Sequence, residues 1–534
     1  MEEEEERMQN LRSKASELLL RKEYKDSIKA YSEYISLCHN QISNTHKNLD
    51  SNNLSKLKKS LCLALCNRAE AHLNLQEFPQ ALKDCNEASE IENTHFKTLL
   101  CKGKILLILD QYRLALDCFK QASLDPNEFE NSETLTGYLE KCKKLEFLSR
   151  TGAFDISDWV LNKFQGKSPE LAEYIGPIEI KKSEISGRGL FVTKNLDCGS
   201  LLLVTKAVAV ERAIVPESIF QDSKEQAQLD MWKSFIEKIV ESAKKCNRTR
   251  DLICKLSTGE NEDDLEVPDI DLFRPEADDS NFQDKNIDMK KLLNILDVNS
   301  LVEELISSKV EGKNSDVHGI GLWLLASLIN HSCDPNVRRS HVGDHVMIHA
   351  SRDIKAGEEL TLAYFDVFLL YGSREEKAKN WGFVCKCKRC KIENGVCSKQ
   401  EMMEFEMFVG KGVDMGGVVY RLEEGMRRWM VRGKGKGYLR ASFWKVYSEV
   451  YESERLIRKW GSKIPLMESV VDSVVDAVGS DERIVKVLMR GLKRKGNGCN
   501  GILEMEKAMK MGRGLYGKIM KKQTLRTILF QLGN

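Results

Sequence analysis

Three cysteines stand within six residues, Cys385-Lys386-Cys387-Lys388-Arg389-Cys390. Three thiols at this spacing cannot all pair as disulfides; as thiolates they are preferred ligands of a tetrahedral Zn²⁺, which takes four. The fourth ligand is open on spacing alone, with Cys397 the local candidate. Flanking Lys386, Lys388 and Arg389 would stabilise thiolates. Further upstream, Asn330-His331-Ser332-Cys333 follows an apolar run over residues 320–329 that reads as a helix. Residues 356–366 give a turn and then a strand with Tyr364 near its end. Ser186-Gly187-Arg188-Gly189 reads as a hairpin turn between short strands at 178–180 and 189–193. Trp381 and Phe383 lead into the cysteines. A histidine such as His331 is more often a core residue than a general base, and no proton transfer is assigned to it.

These groups need a scaffold, and the chain is long enough to build one. Its 534 residues suggest about three domains. With 42% hydrophobic and 31% charged residues it can bury a core and is not a disordered protein. The longest apolar stretches fall short of the ~18 residues a membrane span requires, so no membrane partner is expected. The start, Met1-Glu2-Glu3-Glu4-Glu5-Glu6-Arg7, is the reverse of a signal or transit peptide. The expectation is an intracellular protein, in nucleus or cytoplasm or both, with most of its 16 cysteines reduced core thiols. The net charge of +1 conceals a segregation: residues 401–534 hold 26 Lys and Arg against 16 Asp and Glu, a net +10. No aromatic residues interleave regularly with these cations, so the tail reads as a solvated helical surface and direct nucleic-acid binding is not expected.

A shift of 34 residues superposes Ala69 on Gly103, Leu75 on Leu109, Phe78 on Tyr112, Ala81 on Ala115 and Ala88 on Ala122, with Asp125-Pro126 closing the last unit. Ala15, Tyr24, Ser27 and Tyr34 give an earlier copy, set apart by a polar insertion at about 39–59. Small residues at fixed points let paired helices approach, and large ones fill the gaps between units. The pattern resembles tetratricopeptide repeats, with units at 8–38, 62–95 and 96–129 and, by that resemblance, a concave face that binds peptides. In the variant that clamps acidic chaperone C-termini, Arg12, Asn67 and Lys97 would fall at clamp positions, but Ser16 and Cys101 replace its Asn and Arg.

The four central segments together, over about 175–392, resemble the SET-domain protein lysine methyltransferases. The Gly-Arg-Gly turn, Asn-His-Ser-Cys, the Glu-Leu-Thr-x-x-Tyr strand and the post-SET Cys-x-Cys-x-x-Cys occur in register. The repeats and a long insertion look closest to the SET-and-MYND branch. However, only Cys198, Cys246 and Cys254 lie between the Gly-Arg-Gly turn and Asn-His-Ser-Cys, too few for a two-zinc MYND finger, and the repeats precede the SET region.

The resemblance implies methyl transfer from S-adenosylmethionine to a protein lysine. It supplies Cys333 as the fourth ligand of a structural Zn²⁺ beside Cys385, Cys387 and Cys390. Arg188, Gly189, Ser327, Asn330, His331, Tyr364 and Phe383 become cofactor contacts, with Gly189 leaving room for close approach. Tyr364 becomes the catalytic residue that orients methyl group and amine, and Trp381 lines the lysine channel. The substrate lysine, with a free pKa of about 10.4, must arrive neutral, which a narrow apolar channel favours by desolvation.

The expected fold is α+β and multidomain: a helical repeat solenoid over 1–130, a helical linker over 131–174, and a β-rich SET domain over 175–370. That domain carries an insertion at 204–316, and a zinc-binding post-SET segment over 380–397 and a helical region over 401–534 follow it. The insertion reads as a helix at 225–245 followed by an acidic loop over 259–284; the tail carries amphipathic candidates at 438–460 and 465–478. The partners expected are a protein substrate with its target lysine and a peptide or chaperone on the repeats. The rival readings are a catalytically weak scaffold and a chaperone adaptor.

Overall fold

Lys22, Gln76 and Asp110 are non-glycine residues with φ near +60°, and each ends one helix two residues before an aromatic residue starts the next. In a computed structural model of the protein, which describes residues 2–44, 51–124, 132–214, 221–260, 265–277, 288–311, 317–396, 399–410, 414–495 and 500–533, these three turns share one hydrogen-bond pattern. The turn residue donates to the carbonyl three back and its successor to the carbonyl five back: Lys22 to Leu19 and Glu23 to Leu18, Gln76 to Leu73 and Glu77 to His72, Asp110 to Leu107 and Gln111 to Leu106.

The chain forms two compact units, residues 1–150 and 151–534. In the first, helices α1 (Glu2–Leu20), α2 (Tyr24–Asn44), α3 (Ser51–Asn74), α4 (Phe78–Ile91), α5 (Phe96–Ile108) and α6 (Tyr112–Ala122) form three antiparallel pairs, followed by α7 (Ser132–Thr151). The small positions are buried as their spacing requires: Ala15, Ala69, Ala81, Ala88, Ala115 and Ala122. The helices on either side of the polar insertion are longer than those of the next pair, 21 residues in α2 and 24 in α3 against 14 in α4 and 13 in α5. Of the polar candidates on the repeats, Asn67 gives its amide to the Tyr31 hydroxyl at 2.9 Å, and Ser16 shares that hydroxyl at 2.9 Å. Asp125-Pro126 lies outside the described residues.

The second unit begins with α8 (Ser157–Leu161) and then builds four small sheets. Strands β1 (Tyr174–Ile175), β4 (Leu201–Lys206), β10 (His345–Ala350) and β9 (Val337–Val342) form one in that order; β2 (Ile178–Lys182) and β3 (Arg188–Val192) form the expected hairpin. The third orders β5 (Ala209–Ile214), β7 (Val317–Leu322) and β6 (Leu301–Val302). The fourth is the parallel pair β8 (Asn330–His331) and β11 (Thr361–Leu362), with Thr361 opposite Asn330 and Leu362 opposite His331. Their common core includes Leu190, Leu202, Leu322, Trp323, Ile348 and Leu360, all buried.

Between β5 and β7 run α9 (Gln221–Lys245), α10 (Asn247–Cys254), α11 (Met289–Asn299) and α12 (Ile306–Glu311). The helix expected over 320–329 is not formed: β7 extends to Leu322, and only one tight turn, Ala326–Leu328, follows. An all-round apolar run serves equally as a buried strand, and pairing with β5 from Ala209–Leu322 to Ile214–Val317 decides the matter. After β11 come α13 (Tyr371–Asn380) and α14 (Lys388–Gly395).

The remaining helices are α15 (Lys399–Gly410), α16 (Met415–Arg428), α17 (Lys434–Ser442), α18 (Trp444–Glu452), α19 (Glu454–Trp460), α20 (Met467–Val478), α21 (Glu482–Lys495), α22 (Asn500–Tyr516) and α23 (Lys522–Leu532). The 438–460 stretch is therefore three short helices broken at Phe443 and Ser453, where the Ser453 hydroxyl caps α19 by accepting from Leu456 N–H. This region packs on the sheets: Arg338 of β9 donates to the carbonyls of Val478 and Ser480, and His349 of β10 meets the Leu515 carbonyl at 3.1 Å. Among the described residues no helix is long and apolar enough to cross a membrane.

Candidate active site

The parallel pairing of β8 with β11 brings together segments some thirty residues apart. Ser332 N–H donates to Leu362 O at 2.9 Å, while the buried Asn336 binds Thr361 N–H through Oδ1 at 2.8 Å and Glu359 O through Nδ2 at 2.8 Å. Tyr364, two residues past β11, then lies against β8. Its N–H donates to His331 Nδ1 at 3.0 Å, and its hydroxyl donates to Ile329 O at 2.9 Å.

Around His331 the rings of Phe365, Tyr364 and Phe383 stand with centroids 4.4, 5.1 and 5.3 Å away, and Trp381 lies 5.2 Å from Tyr364. Trp381 and Phe383 are held by the end of α13: Gly382 takes the left-handed turn (φ 78°), and Phe383 N–H returns to Ala378 O at 3.0 Å. His331, Tyr364, Phe383 and Trp381 are thus gathered at one place, with Asn330 next to His331 on β8.

The side chains of Asn330 and His331 are directed into the protein. Asn330 Nδ2 has the Ser183 hydroxyl and the carbonyls of Ser186 and Arg188 at 3.1 Å, and Glu359 Oε1 at 2.8 Å. Both Glu359 oxygens accept from the Ser183 hydroxyl, at 2.8 and 2.9 Å. Burial pushes the Glu359 carboxyl above its ordinary range, with the bonds from Asn330 and Ser183 opposing. A Cβ on Gly189 would stand 2.3 Å from Glu359 Oε1 and 3.2 Å from Asn330 Nδ2. The close approach that requires glycine here is therefore the protein's own.

Arg188 is buried and gives its guanidinium to Glu266 O, while its carbonyl accepts from Asn330. Ser327 sits one turn before β8, its hydroxyl 2.9 Å from Trp323 O and 3.0 Å from Asn299 O. Glu359 and Ser183 are the pair that the sequence reading passed over. Glu359 lies within the motif strand, but nothing in the sequence points from it to Ser183, 176 residues away.

Cys333, Cys385, Cys387 and Cys390 bring their sulfurs within 4.8 Å of one another. Zn–S bonds of about 2.3 Å in a tetrahedron place sulfurs about 3.8 Å apart; Cys333 lies 3.9 Å from Cys385 and 3.5 Å from Cys390. The donor set and spacing fit a tetrahedral thiolate site, so the cluster could hold a metal ion. Contacts from Cys333 and the other two thiols hold Cys385 well below the usual thiol range, and the same contacts push Cys390 up. Cys397 lies outside the described residues.

Arg389, flanking the thiols in sequence, is buried. Its buried guanidinium binds Glu393 at 2.9 Å, the carbonyls of Cys333 and Val367 at 3.1 and 2.7 Å, and Ser442 at 2.9 Å. Arg374 joins the same Glu393 from α13. Glu393 is buried, and the two guanidiniums hold its carboxyl below the usual range against that burial. Asp334, next to Cys333, is bound by Lys434 at 2.9 Å and the Tyr438 hydroxyl at 2.7 Å, so α17 grips the cysteine segment as well.

Outward from Tyr364 and Trp381 opens a cleft of about 650 Å³, walled by Leu229, Met231 and Trp232 of α9, residues 300–302 and Ile320 of β7. The aromatic residues in its lining are Trp232, Tyr364 and Trp381.

Residues 187–365 match the family model of the SET domain. The chain contains a SET domain. It begins in the β2–β3 hairpin turn and ends one residue past Tyr364, so it holds β8, β11 and Cys333 but not the three later cysteines. A methyltransferase of Gibberella zeae is 25% identical over 349 residues, 61% of this chain and 46% of that protein. The human histone-lysine N-methyltransferase SMYD3 is 40% identical over 77 residues, 14% of this chain and 18% of its own length. A SET and MYND domain-containing protein of Dictyostelium discoideum is 38% identical over 104 residues, 19% of this chain and 30% of that protein. The chain thus covers less than half the length of these relatives. The solved TPR2B domain of yeast Sti1 matches 26% of this chain and 97% of its own at 19% identity with a TM-score of 0.21. The tetratricopeptide-like character of residues 1–150 rests on their own turns and helix pairs.

Proposed function

We propose that the protein transfers a methyl group from S-adenosylmethionine to the side-chain amine of a protein lysine, with a structural Zn²⁺ on the four cysteines. The observation that carries the reading is the clustering of His331, Tyr364, Phe383 and Trp381 beside Asn330 of β8, with Tyr364 and Trp381 lining a cleft, in a chain that holds a SET domain. Protein-lysine methyltransferases recur among the relatives, which supports the same reaction here.

S-adenosylmethionine, when bound, supplies a methyl group on a positively charged sulfur. The rings of Tyr364, Phe383 and Trp381 offer π faces suited to a cation and to a heterocycle. Since the side chains of Asn330 and His331 are engaged internally, backbone groups of β8 and of the β2–β3 turn are what they hold in place for the cofactor. The Tyr364 hydroxyl, fixed by Ile329 O, presents its oxygen lone pairs to the reacting centre and orients donor and acceptor. Holding two reactants in attack geometry supplies about 7–11 kcal/mol. The apolar cleft favours the neutral amine by desolvation, so no dedicated base is assigned. The repeats serve as a protein-interaction platform.

The test is calorimetry with S-adenosylmethionine followed by transfer of labelled methyl groups to a protein extract. Binding together with lysine-specific label is expected; absence of binding heat and of label would replace this reading with a non-catalytic scaffold.

A further inference from the structure

Glu359 stands apart from Glu304, Glu393 and Glu423. Glu393 lies between Arg374 and Arg389, Glu423 is bound by Arg440 at 2.8 Å, and Glu304 by Arg339 at 2.9 Å. Among the described residues Glu359 has no cationic partner; its donors are the Ser183 hydroxyl and the Asn330 amide. Burial weighs against its charged form, and Glu184 acts on it with a like charge. A carboxylate held half out of water with no ion pair costs stability, so the fold by itself gives no reason for it.

The body of the β2–β3 hairpin does not depend on this side chain. Its strands pair through the backbone from Ile178–Val192 to Lys182–Arg188, and Leu360 N–H fastens β3 through Leu190 O at 2.7 Å. What the carboxylate reaches is the turn. Ionised, it is acceptor-only, so it takes the Ser183 hydroxyl proton at 2.8 Å. The lone pairs of that hydroxyl are left for the N–H groups of Ile185 at 2.9 Å and Ser186 at 3.4 Å. The carboxylate also takes one proton of Asn330 Nδ2 at 2.8 Å, leaving the other for the turn carbonyls of Ser186 and Arg188. One side chain thus orders the turn from two sides and ties it to β8.

We infer that Glu359 is a positioning residue for the cofactor: with Ser183 it sets the backbone of the β2–β3 turn against β8 before S-adenosylmethionine arrives. The inference rests on the methyl-transfer reading and adds to it the group that preorganises the turn, so that binding does not have to order it. Glu359 acts through Ser183 and Asn330 and not on the reacting atoms.

The test uses the full chain, calorimetry with S-adenosylmethionine, and transfer of labelled methyl groups to a protein extract at saturating cofactor. Glu359→Gln keeps the size of the side chain but exchanges one acceptor oxygen for a donor. It is expected to weaken cofactor binding at least tenfold, with transfer at saturation within threefold and the melting temperature little changed. Ser183→Ala should act in the same way, and Ser183→Thr, which restores the hydroxyl, should recover the affinity. Because the two groups work as one unit, the double variant Glu359→Gln/Ser183→Ala should bind no more weakly than the weaker single variant. Glu358→Gln, on the neighbouring carboxylate that accepts from Lys355 N–H at 3.0 Å, should leave affinity within twofold. Unchanged affinity in Glu359→Gln and Ser183→Ala would overturn the inference. So would a parallel fall in affinity, saturated transfer and melting temperature, which would make the role one of folding. Failure of the unaltered chain to bind the cofactor would instead sink the methyl-transfer reading, and this inference with it.

Discussion

His331 joins the cysteine cluster to the strand that carries Tyr364: its Nε2 lies 3.4 Å from Cys333 Sγ, and its Nδ1 accepts the Tyr364 N–H at 3.0 Å. Because Nδ1 must accept from an amide, the ring proton belongs on Nε2, pointing at the sulfur. One imidazole thus serves as outer partner to a candidate metal ligand and as a brace for the backbone at Tyr364.

Removing the metal should therefore be felt at Tyr364. Cys387→Ser is expected to lower zinc stoichiometry below one per chain and to weaken S-adenosylmethionine binding at least tenfold, with helical content retained. Full zinc content by elemental analysis would contradict the ligand assignment.

Tyr364→Phe removes the bond to Ile329 O while keeping the ring in its aromatic setting. A lost positioning hydrogen bond of about 1–1.5 kcal/mol predicts roughly a tenfold fall in turnover or a change in the number of methyl groups added, with cofactor affinity within a few-fold. Unchanged turnover and product in single-turnover assays with mass spectrometry would refute the role.

Gly189→Ala should act on the cofactor side instead. Its Cβ would collide with Glu359 Oε1 and crowd Asn330, disturbing the turn those two groups hold. Cofactor affinity is expected to fall at least tenfold with little loss of thermal stability, read by calorimetry and circular dichroism.

Two ion-pair systems that tie the SET region to the helices after it should differ in weight. Glu393 is buried between Arg374 and Arg389, and Glu393→Gln leaves uncompensated guanidinium charge, costing about 3–5 kcal/mol. The Asp366–Arg483 pair, at 2.7 Å, is 40% and 47% exposed, so Asp366→Asn should cost less than ~1 kcal/mol. Chemical denaturation of the two variants would show equal losses if this distinction were wrong.

Acid should destabilise the SET core before the carboxylates titrate. Burial, with Arg339 and Lys309 nearby outweighing Glu304, pulls His341 down to about 3; burial, with Lys309 and Arg338, does the same for His349. Folded pKa values below the ordinary 6.5 mean that the unfolded chain binds these protons first. The stabilisation is complete above pH 6.5 and is lost as pH falls, by about 1.4 kcal/mol per unit for each histidine. Denaturation midpoints should drop steadily from pH 6.5 to 5; a flat profile would show these histidines to be accessible.

The repeat unit could be read in the sequence because each turn uses only local contacts: a left-handed residue, then an aromatic residue at the start of the next helix. The post-SET thiols were legible for the same reason, three ligands lying within six residues. The 320–329 run misled because an apolar stretch fits a strand or a helix, and only its pairing with β5 chose between them. Arg389 reads in the sequence only as a cation beside the thiols, and its burial beside Glu393 comes from the tertiary structure.

The types and spacing of residues by themselves marked a candidate thiolate site and an Asn-His element, since those patterns depend on short-range chemistry. Tertiary structure alone decided that β8 lies parallel to β11, that Cys333 stands within 3.9 Å of Cys385, and that Ser183 meets Glu359 across 176 residues. Pairing of segments so far apart depends on which surfaces the whole core can bury together, a choice that no local pattern records.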